Sequence, residues 1–136
     1  MTHYSPFLLR VSVGLIMAFA HGLPKLQKYD RLATSFPNPL FLGSELSLIL
    51  VIFAELICSL LLVLGVASRL ILIPLIIDMA VAAFIFHSSH PFSKMELSLI
   101  FLVCFVCLFI SGAGAFRIKL TSLANKFPKL AWWLDA

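Results

Sequence analysis

The sequence predicts an all-α fold, a polytopic membrane four-helix bundle with short connections. Three observations predict it. Of 136 residues, 62% are hydrophobic and only 12% are charged, about half the charge of ordinary soluble domains. The apolar residues collect in four continuous stretches, at about 6–24, 45–65, 68–88 and 95–115, each near the ~20 residues a helix needs to cross a ~30 Å hydrocarbon layer. The stretches lack the alternation of barrel strands, and a lipid-exposed backbone can satisfy itself only in a helix or a closed barrel. Residues 1–116 therefore read as one four-span domain, and residues 117–136 as a basic, Trp-bearing interfacial tail.

Each element has its own justification. Span 1 opens near Pro6, a residue suited to a first helical turn, and weakens at Pro24. Arg10 and the Ala18-Phe19-Ala20 run mimic a secretory signal, but one arginine set directly against the apolar run makes a weak leader, so the segment is read as a span. The connection at 25–44 is the longest. Its charged first half reads as interfacial, and Pro37-Asn38-Pro39 as a turn against the membrane. Span 2 closes at Gly65, and Ser68 is expected to cap span 3, which makes spans 2 and 3 an antiparallel hairpin. Pro74 predicts a kink in span 3, and Ser89-His90-Pro91 ends it. Ser93 precedes Glu96 by three residues, a capping-box spacing for span 4. Gly112 and Gly114 end span 4. Lys126, Lys129 and the Trp132-Trp133 pair give the tail an interfacial character.

The net charge of +4 lies at span ends, which suits anionic lipid headgroups better than nucleic acid. Four spans put both termini on one side. Arg10, Arg69, Arg117, Lys119, Lys126 and Lys129 fall there, against Lys25, Lys28, Arg31 and Lys94 on the other. That bias predicts cytoplasmic termini. Cys58, Cys104 and Cys107 all fall inside spans, so no secreted disulfide framework is expected. Cys104 and Cys107 form a C-x-x-C at mid-span, away from the helix start that activates redox thiols, and read as small apolar filler.

Charges inside a membrane are costly unless paired or wetted, so they mark candidate function. His21, Lys25, Glu45, His87, His90 and Glu96 gather at one mouth of the bundle. Glu55 lies about 15 Å below Glu45 at 1.5 Å per residue, and Asp78 lies at a similar depth. Arg10, Gly14, Met17 and His21 share a face of span 1 within about 40°, and Gly14, Ala18 and Gly22 allow a close helix neighbour. On span 4, Glu96, Val103, Cys107 and Gly114 share a face. Asp78 and His87, nine residues apart, point to opposite sides of an ideal helix. Either span 3 is distorted near its end or the two belong to different clusters. Arg10 is expected to pair with Glu55, as a packing ion pair or in direct ligand or proton handling. Asp78 is either a protonated packing residue or a proton relay. The histidines are metal-ligand types, but no tight motif joins them and no metal is assigned. They are satisfied by backbone or water, or they bind an anion or polar headgroup beside Lys25. The thirteen phenylalanines read as packing and lipid-facing residues.

The chain resembles the DoxX family of small four-helix bacterial membrane proteins. Leu9-Arg10 through Gly14-Leu15 and then His21-Gly22-Leu23-Pro24-Lys25 is similar to that family's first span. Glu55, the leucines to Leu64-Gly65 and Ser68-Arg69 look like its second span and turn. Asp78 to His87, Glu96-Leu97 and Gly112-Ala113-Gly114 fit the third and fourth spans. The match covers roughly 7–118. Cys58-Ser59 departs from the small residues more usual there.

The resemblance implies a bacterial inner-membrane protein linked to oxidoreductase systems, with relatives tied to thiosulfate:quinone oxidoreductase and to thiol-redox partners. The leading expectation is a quinone-linked or thiol/sulfur-redox oxidoreductase subunit. Quinone is the expected cofactor; lipids, a soluble redox enzyme and a second copy of the chain are the expected partners. His21, Lys25 and Arg10 would bind an anion or a quinone carbonyl. Glu55 and His87 would be catalytic, and Asp78 and Glu96 would relay protons. Two other classes stand beside it: a small-solute or proton transporter, which at four spans would need to dimerise, and a non-catalytic scaffold whose basic tail recruits a soluble redox enzyme.

Overall fold

Four helices long and apolar enough to cross a membrane, Tyr4–Gln27, Ser44–Leu64, Ser68–Phe86 and Phe92–Ser111, make up most of a computed structural model that describes residues 4–134. We call them spans 1 to 4. No strand occurs among the described residues. The expected boundaries differ from these by a few residues at most.

The spans pack around one apolar core. Val13 and Met17 of span 1, Cys58 and Leu62 of span 2, Leu72, Leu75 and Met79 of span 3, and Phe101, Phe105 and Leu108 of span 4 form a single buried cluster. The opposite faces carry exposed Leu8, Phe19, Ile77 and Ile110, as a surface solvated by acyl chains requires. On span 4 the Val103 and Cys107 face points outward, so the core-facing stripe is the phenylalanine one. Gly65 ends span 2 with φ +72°. Its N–H bonds to Leu62 O at 2.9 Å and that of Val66 to Leu61 O at 3.1 Å, the paired bonds of a Schellman turn.

Two expected caps do not form. Ala67, not Ser68, is the N-cap of span 3, and the Ser68 hydroxyl is buried without a partner among the described residues. Ser68 already lies in the first turn, one residue too late to cap it. Span 4 starts after Pro91 with no side-chain cap, so the Ser93–Glu96 spacing falls inside the helix and makes no box.

Three spans are π-helical in part, at Met17–Gly22, Phe53–Cys58 and Ala82–Phe86. The first two pack directly on each other. π-Helical turns are rare and often sit at functional sites.

The end opposite His21 is closed by arginines. Arg10 is fully buried. Its guanidinium donates to Leu62 O at 3.3 Å, Ala115 O at 3.0 Å and Phe116 O at 2.8 Å. Gly65 makes room for it, because a Cβ there would collide with the guanidinium. Arg69 donates to Phe109 O and Trp132 O at 3.2 and 3.0 Å and stacks over the Trp132 ring at 3.9 Å. The tail, with short helices Thr121–Lys126 and Ala131–Leu134, thereby folds back on the bundle, where Ala67, Ala124 and Leu134 form a small apolar cluster.

Candidate functional site

A cavity of about 650 Å³ opens at the His21 end, walled by all four spans and by the connection after span 1. Its polar lining is short: His21, Lys25, Ser47, Glu55, Asp78, His87, Lys94 and Ser98. The rest is apolar, including Phe53, Phe86 and Phe101. Apolar walls with a few converging polar groups are the usual character of a small-molecule site.

Span 1 delivers two of these groups. Its π-helical stretch ends at Gly22, which lies against the backbone of span 2. A Cβ on Gly22 would meet Glu55 C and Leu56 N at 2.7 Å. That close approach brings Lys25 over Glu55: Lys25 Nζ donates to Glu55 Oε2 at 2.5 Å and to His21 O at 3.4 Å. The His21 ring stands edge-on to Phe101, with centroids 5.6 Å apart.

The expected Arg10–Glu55 pair is therefore corrected. Glu55 belongs to Lys25, and Arg10 serves carbonyls at the far end. Leu62 is seven residues from Glu55, about 10 Å along a helix. Lysine's flexible four-carbon stem lets its ammonium turn inward from the last turn of span 1.

Asp78 and His87 line the same cavity, and the distortion between them resolves their facing. Nine residues of ideal helix would separate them by about 180°. The Ala82–Phe86 π-turn takes up one extra residue and reduces that to about 80°. Asp78 Oδ2 and His87 Nδ1 are both buried without a hydrogen-bond partner among the described residues. Burial first, then His90 and Lys94, holds His87 below the usual histidine range, so its imidazole is neutral near pH 7.

The remaining expected site residues lie elsewhere. Glu96 is exposed and does not line the cavity. Glu45 accepts a hydrogen bond from Tyr29 Oη at 2.9 Å outside it. That bond, then burial and the Glu45 and Asp30 charges, pushes the Tyr29 phenol up. His90 is exposed, its ring 5.3 Å from that of His87. Lys94 lines the cavity, although its sequence position marks it only as a span-end charge. Phe36, Pro37, Pro39, Leu40 and Leu42 also reach it. Asn38 pins that loop, its Oδ1 accepting from Gly43 N at 3.1 Å and Ser47 Oγ at 3.2 Å.

The described residues bring no three metal-ligating side chains together. None of Cys58, Cys104 and Cys107 lines the cavity. The cavity brings together Lys25 neutralised by the buried Glu55, a second lysine, Lys94, at its exposed rim, the Asp78 carboxyl and the imidazoles of His21 and His87. Such a set can donate a hydrogen bond, accept one and exchange a proton, within mostly apolar walls.

Set against known families, residues 5–88 match the family model described as DoxX. No curated protein and no solved structure matches the chain.

Proposed function

The chain belongs to the DoxX family, and from that premise we propose that the cavity is the head-group site for a membrane quinone, within a quinone-linked oxidoreductase. One observation carries the reading: Asp78, half-buried with its Oδ2 buried and without a hydrogen-bond partner among the described residues, sits on the wall of an apolar cavity that also holds the Lys25–Glu55 pair. A quinone ring needs a flat apolar slot, a donor for its carbonyl and a group that exchanges a proton. Lys25 is the donor, held in place by Glu55. Asp78 and His87 exchange protons. A bound quinone would supply two-electron, two-proton chemistry; Asp78 and His87 are the groups that would take up or return its protons, and its two electrons would be exchanged with a two-electron acceptor on a partner enzyme.

Two features favour this over the neighbouring readings. A doubly charged sulfur anion would meet the Glu55 and Asp78 carboxyls inside, where Lys25 is already neutralised and Lys94 stands at the exposed rim, so a sulfur step fits better on the partner. A through-path for solute or proton would have to pass Arg10, a charge fixed on three carbonyls at the far end. A one-sided site fits that plug better than a carrier does.

The experiment is a titration of protein in lipid nanodiscs with decyl-ubiquinone. Lys25→Met is expected to weaken binding about tenfold, near 1.4 kcal/mol. Asp78→Asn is expected to leave affinity within about threefold but to remove the pH dependence of quinol binding. Failure of the wild-type protein to bind overturns the reading.

The same reading puts the chain in a bacterial inner membrane with the Arg10 end in the cytoplasm, because six of the basic residues collect there. Alkaline phosphatase inserted in the connection at 25–44 is then expected to be active, and the same enzyme fused after Ala136 inactive. The reverse pattern inverts the orientation.

A further inference from the structure

Resting on the head-group reading, we infer that the site takes a long-tailed quinone directly from the lipid, through a lateral gap between the His21-end halves of spans 2 and 3. The two spans are joined by the tight Gly65 turn, and there they pack closely: Phe53–Cys58 and Ser59–Leu64 both lie against Ser68–Val81. Toward the other end they part. Ser44–Ile52 packs on Leu23–Gln27 and Tyr29–Leu32, while Ala82–Phe86 packs on span 4. Among the described residues, no comparable packing joins Ser44–Ile52 to span 3. The hairpin therefore opens as a V, and the cavity lies in its opening.

The lips of the V identify what passes between them. Leu50 and Phe53 on span 2 and Ile77 on span 3 line the cavity, yet they are 47%, 47% and 56% exposed. A side chain that both walls a cavity and faces outward marks the edge of an opening. All three are apolar, and on a membrane span that outward face meets acyl chains. The axial mouth is walled by the apolar loop of Phe36, Pro37, Pro39, Leu40 and Leu42, tethered by Asn38, with Phe41 92% exposed at its tip. Glu55 and Asp78 lie deep, and the lips between spans 2 and 3 are bare hydrocarbon. That fits an amphiphile whose head reaches Lys25 and Asp78 while its tail stays in the bilayer.

The test compares a tailless quinone with decyl-ubiquinone on protein in nanodiscs. Wild type is expected to prefer the tailed compound. Leu50→Trp with Ile77→Trp fills the gap and is expected to cut the tailed-to-tailless affinity ratio about tenfold; an unchanged ratio overturns the portal. A second measurement needs no quinone. With Cys104 and Cys107 replaced by alanine and buried Cys58 kept, Ile77→Cys in liposomes should react with a lipid-soluble maleimide. It should resist a charged one. Equal reaction with both overturns the lipid-facing gap. If wild type binds neither quinone, the head-group reading fails, and the labelling still decides whether the Ile77 lip faces lipid, which a gap there requires.

Discussion

Replacing Arg10 by methionine should cost the bundle at least about 3 kcal/mol. A hydrogen bond to a charged group contributes roughly 1.5–3 kcal/mol, and Arg10 makes three, to carbonyls of Leu62, Ala115 and Phe116. Methionine removes all three donors, the one to the buried Leu62 carbonyl included. Arg10→Lys should fall between, because a single ammonium cannot fork across three acceptors as a planar guanidinium does. Unfolding midpoints of the purified protein in one detergent should rank arginine above lysine above methionine. If methionine matched the wild type, the carbonyl staple would have no energetic role.

The second large effect is expected at Gly22. An added Cβ meets backbone atoms of Glu55 and Leu56 at 2.7 Å and Glu55 O at 2.9 Å. Backbone cannot turn aside as a side-chain tip can, so spans 1 and 2 must separate. Overpacking of this kind costs about 1–3 kcal/mol, and Gly22→Val should lie at the upper end. The separation should also pull Lys25 away from Glu55, so quinone affinity should fall with stability. Gly14→Ala is the internal comparison. Its Cβ meets the tip of Val63 at 2.6 Å and Ser59 O at 3.1 Å, and the valine can rotate. A smaller loss at Gly14 than at Gly22 is expected, and the reverse order would remove the argument from close backbone approach.

The fold was legible because hydropathy acts over whole spans. Four apolar runs near membrane length leave little choice of architecture, and Gly65 and Pro91 punctuate the hairpin and the start of span 4. The site was legible in part. His21, Lys25, Glu55, Asp78 and His87 stand out as polar residues in apolar surroundings, and the structure gathers all five on one cavity. Their partners were not legible. A count at 1.5 Å per residue places backbones, and it cannot say whether a lysine or an arginine stem bends inward. The π-helical stretches have no signature in composition, yet they change which face Asp78 and His87 present. Lys94 and the Phe36–Leu42 wall were hidden for another reason. They come from segments whose position depends on how the spans pack, and on nothing local.

The Arg10 staple also bears on biosynthesis. Arg10 lies in the first span, whereas its acceptors lie 52, 105 and 106 residues later. During synthesis the first helix must enter the membrane with a cation whose final acceptors have not yet been made. Insertion and completion are therefore separate events, and the segment that follows the fourth span closes what the first helix left open.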